Sequence, residues 1–112
     1  MKCPRDYTPL KPEYRGNILL DRCPGCTGLW FDFSELSRAV GSWNDLPREI
    51  MAPTESLACP KGCGNMNSHY YSDKRRTVVD RCPTCLGIWL DPHELEAILQ
   101  EVYPQLQLLF QA

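Results

Sequence analysis

The chain has 112 residues, of which 43% are hydrophobic and 23% charged, and a formal charge of −2. That balance argues against binding nucleic acid by bulk electrostatics, and no apolar stretch approaches the length of a membrane-spanning helix. Seven cysteines form an odd set, which fits a framework of disulfides poorly.

The amino-terminal stretch MKCPRDYTPLKPEYRG is polar and proline-rich, without the apolar segment of a secretory signal. The expected compartment is therefore cytoplasmic, where thiols stay reduced and regularly spaced cysteines bind metal more often than they pair.

The chain carries one phrase twice. Residues 21–36 read DRCPGCTGLWFDFSEL, and residues 80–95 read DRCPTCLGIWLDPHEL. The repetition divides the chain into a first unit over 1–41, a linker over 42–57, a second unit over 58–103 and a tail over 104–112. Units of roughly 45–50 residues are marginal on a hydrophobic core alone. They need a staple such as a metal.

In chain order, Cys3-Pro4-Arg5-Asp6 makes a tight turn. Tyr7 to Tyr14 and Ile18 to Arg22 read as two strands, with Arg15-Gly16-Asn17 supplying turn chemistry between them. Cys23-Pro24-Gly25-Cys26 makes a second tight turn. Gly28 and Trp30 follow, and a helical stripe of Leu36, Ala39 and Val40 begins after Asp32 and is placed to end at Gly41.

The linker holds Trp43, Leu46, Ile50 and Met51 at a spacing that suits a short helical turn packed on one unit. Its two prolines and mixed polarity distinguish it from a flexible spacer.

The second unit repeats the order. Cys59 and Cys63 bracket the first turn, Met66 to Tyr71 and Thr77 to Arg81 are the strands, and residues 72–76 form the tip between them. Cys82-Pro83-Thr84-Cys85 is the second turn. A helix striped by Leu95, Ile98, Leu99 and Val102 follows Asp91. Glu35 and Glu94 stand in the capping-box relation to Asp32 and Asp91, and Pro92 falls at the expected first helical position. Tyr103-Pro104 interrupts the pattern. The tail carries Leu106, Leu109 and Phe110, enough for one more short amphipathic helix.

Tetrahedral zinc takes four ligands, and two short turns at one end of a hairpin deliver them. Cys59, Cys63, Cys82 and Cys85 make one such set. An oxidised pair and a redox CxxC are the alternatives, but no βαβ pattern surrounds the motif. Cys3, Cys23 and Cys26 align as a second set with one cysteine fewer. Asp6, in CxxD spacing, is the geometric substitute, since carboxylate oxygen is also a zinc ligand. An empty or weak site and a site completed by water are the alternatives there. Two zinc ions on seven thiolates would bring the formal charge to about −5.

With these motifs in view, the chain resembles the transcription-factor-IIB-type zinc-ribbon family in two tandem copies. The resemblance implies a small α+β fold of tandem zinc ribbons, each a β-hairpin with two zinc knuckles followed by a short helix. It also implies two Zn2+ per chain. The first pair of that family is often written CPxD, which Cys3-Pro4-Arg5-Asp6 matches. The wider Cys59/Cys63 spacing departs from it. The family's name does not by itself carry a transcriptional role.

Other residues read more plainly. Trp30 and Trp89 are expected to cover the hairpin beside each metal site. Lys74, Arg75 and Arg76 are the one basic cluster, on the second hairpin tip. His69 and His93 are surplus to sets that already have four ligands. Asp21, Arg22, Asp80 and Arg81 are expected to support the knuckles.

No nucleophile–base pair is recognisable, so no enzyme is expected. The leading functional expectation is a zinc-stabilised module that binds another protein, with self-association as a further possibility of the same surfaces. A nucleic-acid-binding regulator is the runner-up, and a metalloenzyme using the Asp6 site a distant third. No membrane association is expected.

Overall fold

The computed structural model describes residues 1–15, 18–33, 35, 56–71 and 77–102, with backbone alone from residue 99 onward. The first hairpin's tip residues Gly16 and Asn17, the stripe Leu36–Ala39–Val40, nearly all of the linker, the basic cluster at 74–76 and the tail lie outside the described residues.

Each copy forms an antiparallel hairpin and then a third short strand. In the first copy these are β1 (Lys11–Arg15), β2 (Ile18–Arg22) and β3 (Leu29–Phe31). In the second they are β4 (Asn67–Tyr70), β5 (Val78–Arg81) and β6 (Ile88–Leu90). The first strand starts later than Tyr7, because Tyr7 stands at φ 62 in the turn that precedes it.

The strands join in one six-stranded sheet of order β1-β2-β3-β6-β5-β4. The join is the antiparallel pair β3–β6, with Trp30 opposite Trp89, Leu29 opposite Leu90 and Phe31 opposite Ile88. Equivalent positions of the two copies exchange roles across the Trp30/Trp89 pair, so the interface is isologous, as in a twofold dimer.

Strand alternation sorts the side chains onto two faces. Leu29, Phe31, Ile88 and Leu90 lie with Leu20, Tyr71 and Val79 in one buried cluster. Trp30 and Trp89 point the other way and are packed among Cys3, Cys23, Cys59, Cys82 and Met66. The sheet therefore has an aliphatic face and a tryptophan–cysteine face.

Helix α1 (Glu94–Val102) lays Leu95 and Ile98 against the aliphatic face. It starts later than the proline suggests. His93 adopts φ 72, which no helical residue has, and its carbonyl accepts the Ala97 amide at 3.1 Å. Half of the expected capping box is present: the Asp91 amide donates to Glu94 Oε1 at 2.7 Å. The Asp91 carboxylate itself is engaged elsewhere, as described below. After Asp32, Glu35 alone is described as helical.

Candidate metal centres

The first knuckle of each copy is closed the same way at its ends. The Cys3 amide donates to the Thr8 carbonyl at 2.8 Å, and the Cys59 amide to the Gly64 carbonyl at 2.8 Å. Isolated bridges Lys2–Pro9 and Ala58–Asn65 close each loop at matching positions. The two loops are thus of equal length. The wider spacing of Cys59 and Cys63 is no insertion: the fourth ligand position has moved one residue along a loop of the same length, whose turn is closed by the Tyr7 amide on the Cys3 carbonyl in the first copy and by the Gly62 amide, one position earlier, on the Cys59 carbonyl in the second, and Gly62, at φ 81, stands where Asp6 stands in the first copy.

The second knuckles also match. Thr27 and Leu86, at φ 68 and φ 64, turn the chain after the last cysteine of each pair. Their amides donate back to the carbonyls of Cys23 and Cys82 at 2.9 and 3.0 Å.

The structure brings together both sets expected from the sequence. Cys3, Asp6, Cys23 and Cys26 offer one ligand atom each within 4.8 Å of one another, and so do Cys59, Cys63, Cys82 and Cys85. Four sulfurs around zinc, each about 2.3 Å from it, would sit about 3.8 Å apart. Cys3 Sγ and Cys26 Sγ are 3.6 Å apart, and Cys59 Sγ and Cys85 Sγ 3.7 Å. Cys23 Sγ lies 3.4 Å from Asp6 Oδ1 and 3.5 Å from Oδ2, which suits the shorter bond of a carboxylate oxygen. The two sets fit two zinc ions.

Backbone amides aim at the sulfurs. Arg5 and Asp6 donate to Cys3 Sγ at 3.3 and 3.5 Å, and Cys26 donates to Cys23 Sγ at 3.3 Å. In the second copy Lys61 donates to Cys59 Sγ, and Thr84 and Cys85 to Cys82 Sγ, each at 3.4 Å.

Burial pushes the Cys3 and Cys59 thiols up to about 12. Burial also opposes ionisation of Cys82, but the amides of Cys85 and Thr84 outweigh it and bring that thiol down to about 7. Thiols so buried part with their protons to a metal rather than to water, so loading is pH-dependent. Asp6 is held at about 2 by hydrogen bonds from Thr8, whose amide lies 3.0 Å from Oδ1, so its carboxylate is ionised at any working pH.

Three features of the surroundings emerge with the fold. A Cβ at Gly25 would stand 2.6 Å from Asp6 Oδ2; Thr84 occupies the equivalent position in the second copy, where the ligand is Cys63. Each tryptophan lies against the glycine of the other copy rather than its own. A Cβ at Gly28 would be 2.3 Å from Trp89 Cζ2, and one at Gly87 would be 2.1 Å from Trp30 Cζ2. Finally, each indole donates within its own copy, Trp30 Nε1 to Asp32 Oδ1 at 3.1 Å and Trp89 Nε1 to Asp91 Oδ1 at 2.9 Å.

Those two aspartates are held by the opposite copy: Arg5 grips Asp91 at 2.8 and 3.0 Å, and Lys61 meets Asp32 at 2.7 Å. Asp32 and Asp91 thus do more than precede a helix. Of the residues expected beside the knuckles, Arg22 pairs with Glu13 at 3.2 Å and Asp80 accepts the Ser68 hydroxyl at 2.9 Å. Neither His69 nor His93 belongs to a ligand set.

Paired knuckles at the end of a hairpin, with four ligand atoms converging, define a zinc ribbon, here present twice in one sheet. A family model described as transcription factor zinc-finger matches residues 2–41 and 58–101, and the chain belongs to that family. No curated protein and no solved structure matches it. Among the described residues, no helix is long and apolar enough to cross a membrane.

Proposed function

We propose that the chain is a cytoplasmic, non-catalytic interaction module whose partner is another protein. In this reading Cys3, Asp6, Cys23 and Cys26 hold one zinc, and Cys59, Cys63, Cys82 and Cys85 hold the other. The metals maintain the surface and carry out no reaction.

The observation that carries the reading is the division of labour on the first ribbon's surface. Tyr14 and Leu19 stand directly opposite one another on β1 and β2, and they are 73% and 41% exposed. An exposed cross-strand pair of this kind supplies apolar contact area for a protein partner. Several of the described cations, by contrast, are already engaged: Arg15 and Arg22 share Glu13, Arg5 binds Asp91 and, on the second ribbon, Lys61 binds Asp32. Duplex binding needs Lys and Arg free to neutralise phosphates.

The test compares captures from host extract by the zinc-loaded chain and by Tyr14→Ser/Leu19→Ser, alongside binding to random duplex DNA and RNA at physiological salt. The reading expects a protein retained by the parent and lost by the double variant, with nucleic-acid binding weaker than micromolar. Sub-micromolar nucleic-acid binding eliminated by Lys74→Ala/Arg75→Ala/Arg76→Ala would replace it with a regulator that contacts nucleic acid.

A further inference from the structure

The first metal set is contacted by the second ribbon at both of its knuckles. Arg5 lies between Cys3 and Asp6, and its amide donates to Cys3 Sγ at 3.3 Å. Its guanidinium holds Asp91 of the second ribbon by two bonds, at 2.8 and 3.0 Å. Asp91 in turn accepts Trp89 Nε1 at 2.9 Å. The Trp89 ring lies where any side chain on Gly28 would be. Gly28 belongs to the other knuckle: its amide donates to Cys26 Sγ at 3.4 Å, and its carbonyl accepts the Cys23 amide at 2.9 Å. One short arm, Trp89–Leu90–Asp91, therefore touches both halves of a metal set that it does not belong to.

The arrangement is reciprocal. Lys61 donates its amide to Cys59 Sγ at 3.4 Å and its ammonium to Asp32 at 2.7 Å. Asp32 accepts Trp30 Nε1 at 3.1 Å. The Trp30 ring covers Gly87, whose carbonyl accepts the Cys82 amide at 3.0 Å.

We propose that Trp89 with Asp91, and Trp30 with Asp32, are positioning residues for the metal site of the opposite ribbon, so that each zinc is held in trans. The inference rests on the assignment of zinc to the two ligand sets. Groups that orient metal ligands change affinity by roughly 10- to 100-fold when removed. An arm that spans both knuckles fixes their separation, and with it the size of the tetrahedron. The two arms are unequal. Arg5 grips Asp91 with a planar two-bond fork, where Lys61 offers Asp32 a single point charge, so the effect is larger at the first site.

The experiment uses the zinc-loaded full chain, challenged with a chelator in the presence of a thiol-alkylating reagent. The labelling rate of each cysteine is followed by peptide mass spectrometry. Asp91→Asn is expected to speed labelling of Cys3, Cys23 and Cys26 by roughly tenfold or more, while Cys82 and Cys85, on its own ribbon, stay near parental rates. Asp32→Asn is expected to do the reverse, with a smaller change. Leu95→Ala, on the aliphatic face and making none of the contacts from arm to knuckle, weakens the fold without this pattern and is expected to speed all seven thiols together. A uniform acceleration by Asp91→Asn, or a larger one at Cys82 and Cys85, overturns the proposal. If zinc protects no thiol of the parent chain, the zinc assignment itself fails, and the proposal with it.

Discussion

Gly25 makes room for Asp6: a methyl group on Gly25 would stand 2.6 Å from Asp6 Oδ2, well inside van der Waals contact. The carboxylate is short, so yielding to that methyl displaces it from the place it holds beside Cys23 Sγ. Gly25→Ala is therefore expected to weaken the first zinc site as Asp6→Ala does, by roughly tenfold in affinity, and to leave the second site alone. Asp6→Cys restores a fourth thiolate and is expected to retain or raise affinity. Competition with a chromophoric chelator measures all three. Unchanged zinc retention in Asp6→Ala would mean that another group completes the site.

Elemental analysis of protein purified without added metal is expected to return two zinc equivalents, one for each ligand set. Structural zinc contributes on the order of 10 kcal/mol to small domains. Chelation is expected to abolish the near-ultraviolet tryptophan signal and the strand signal together. A cooperative thermal transition that survives complete zinc removal would show that the apolar core suffices.

Substituting either glycine under a tryptophan is expected to be costly. Trp30 and Trp89 are fully buried, and a Cβ at Gly87 or Gly28 would press on a rigid ring rather than on a flexible tip. Overpacking of this kind costs about 1–3 kcal/mol. Denaturant titration of Gly87→Ala and Gly28→Ala should show losses toward the upper end of that range. Less than about 1 kcal/mol for both would mean that the β3–β6 join can open without penalty.

Glu94 gives the fold a pH dependence of its own. Burial, with the nearby charges of Asp91 and Asp80, pushes its carboxyl from an ordinary 4.5 up to about 8, against the opposing hydrogen bond from the Asp91 amide. The folded chain therefore binds this proton more tightly than the unfolded one. The stability it confers is complete below pH 4.5 and falls as pH rises toward 8, by at most about 1.4 kcal/mol per unit. Glu94→Gln keeps an oxygen for the Asp91 amide and removes the titration. Relative to the parent, it is expected to gain on the order of 1 kcal/mol between pH 6 and pH 8.5. Parallel stability profiles for the two proteins over that range would sink this assignment.

The ligand sets and hairpins were legible because their determinants are local. Cysteines spaced within one turn must converge, and the β2 and β5 strands ran as expected to Arg22 and Arg81. The three-residue strands β3 and β6 were not read as strands. Each pairs on one side with the hairpin strand just before it in its own copy and on the other with a segment far along the chain, for which no local pattern exists. The seats of Trp30 and Trp89 were assigned to their own hairpins for the same reason. One signal was available: glycine recurs two residues before each tryptophan, and a glycine inside a strand pattern often marks the close approach of another group. The delayed start of α1 had no such signal, since Pro92 reads as a helix start whether or not His93 follows it into the left-handed region.

The isologous join also bears on how the protein is made. β3 ends at Phe31 and its partner strand begins at Ile88. At about 5–20 residues per second, a ribosome needs roughly 3–12 s to add the segment between them. Throughout that interval the nascent first ribbon lacks its partner strand along Leu29, Trp30 and Phe31. Yet it already carries every element of the join: Gly28 to receive a tryptophan, Trp30 to offer one, Arg5 to grip an aspartate and Asp32 to be gripped. Two nascent first ribbons on neighbouring ribosomes of one message present equivalent groups to one another. Closure of the chain, and any pairing between neighbouring nascent ribbons, would therefore draw on one and the same set of groups.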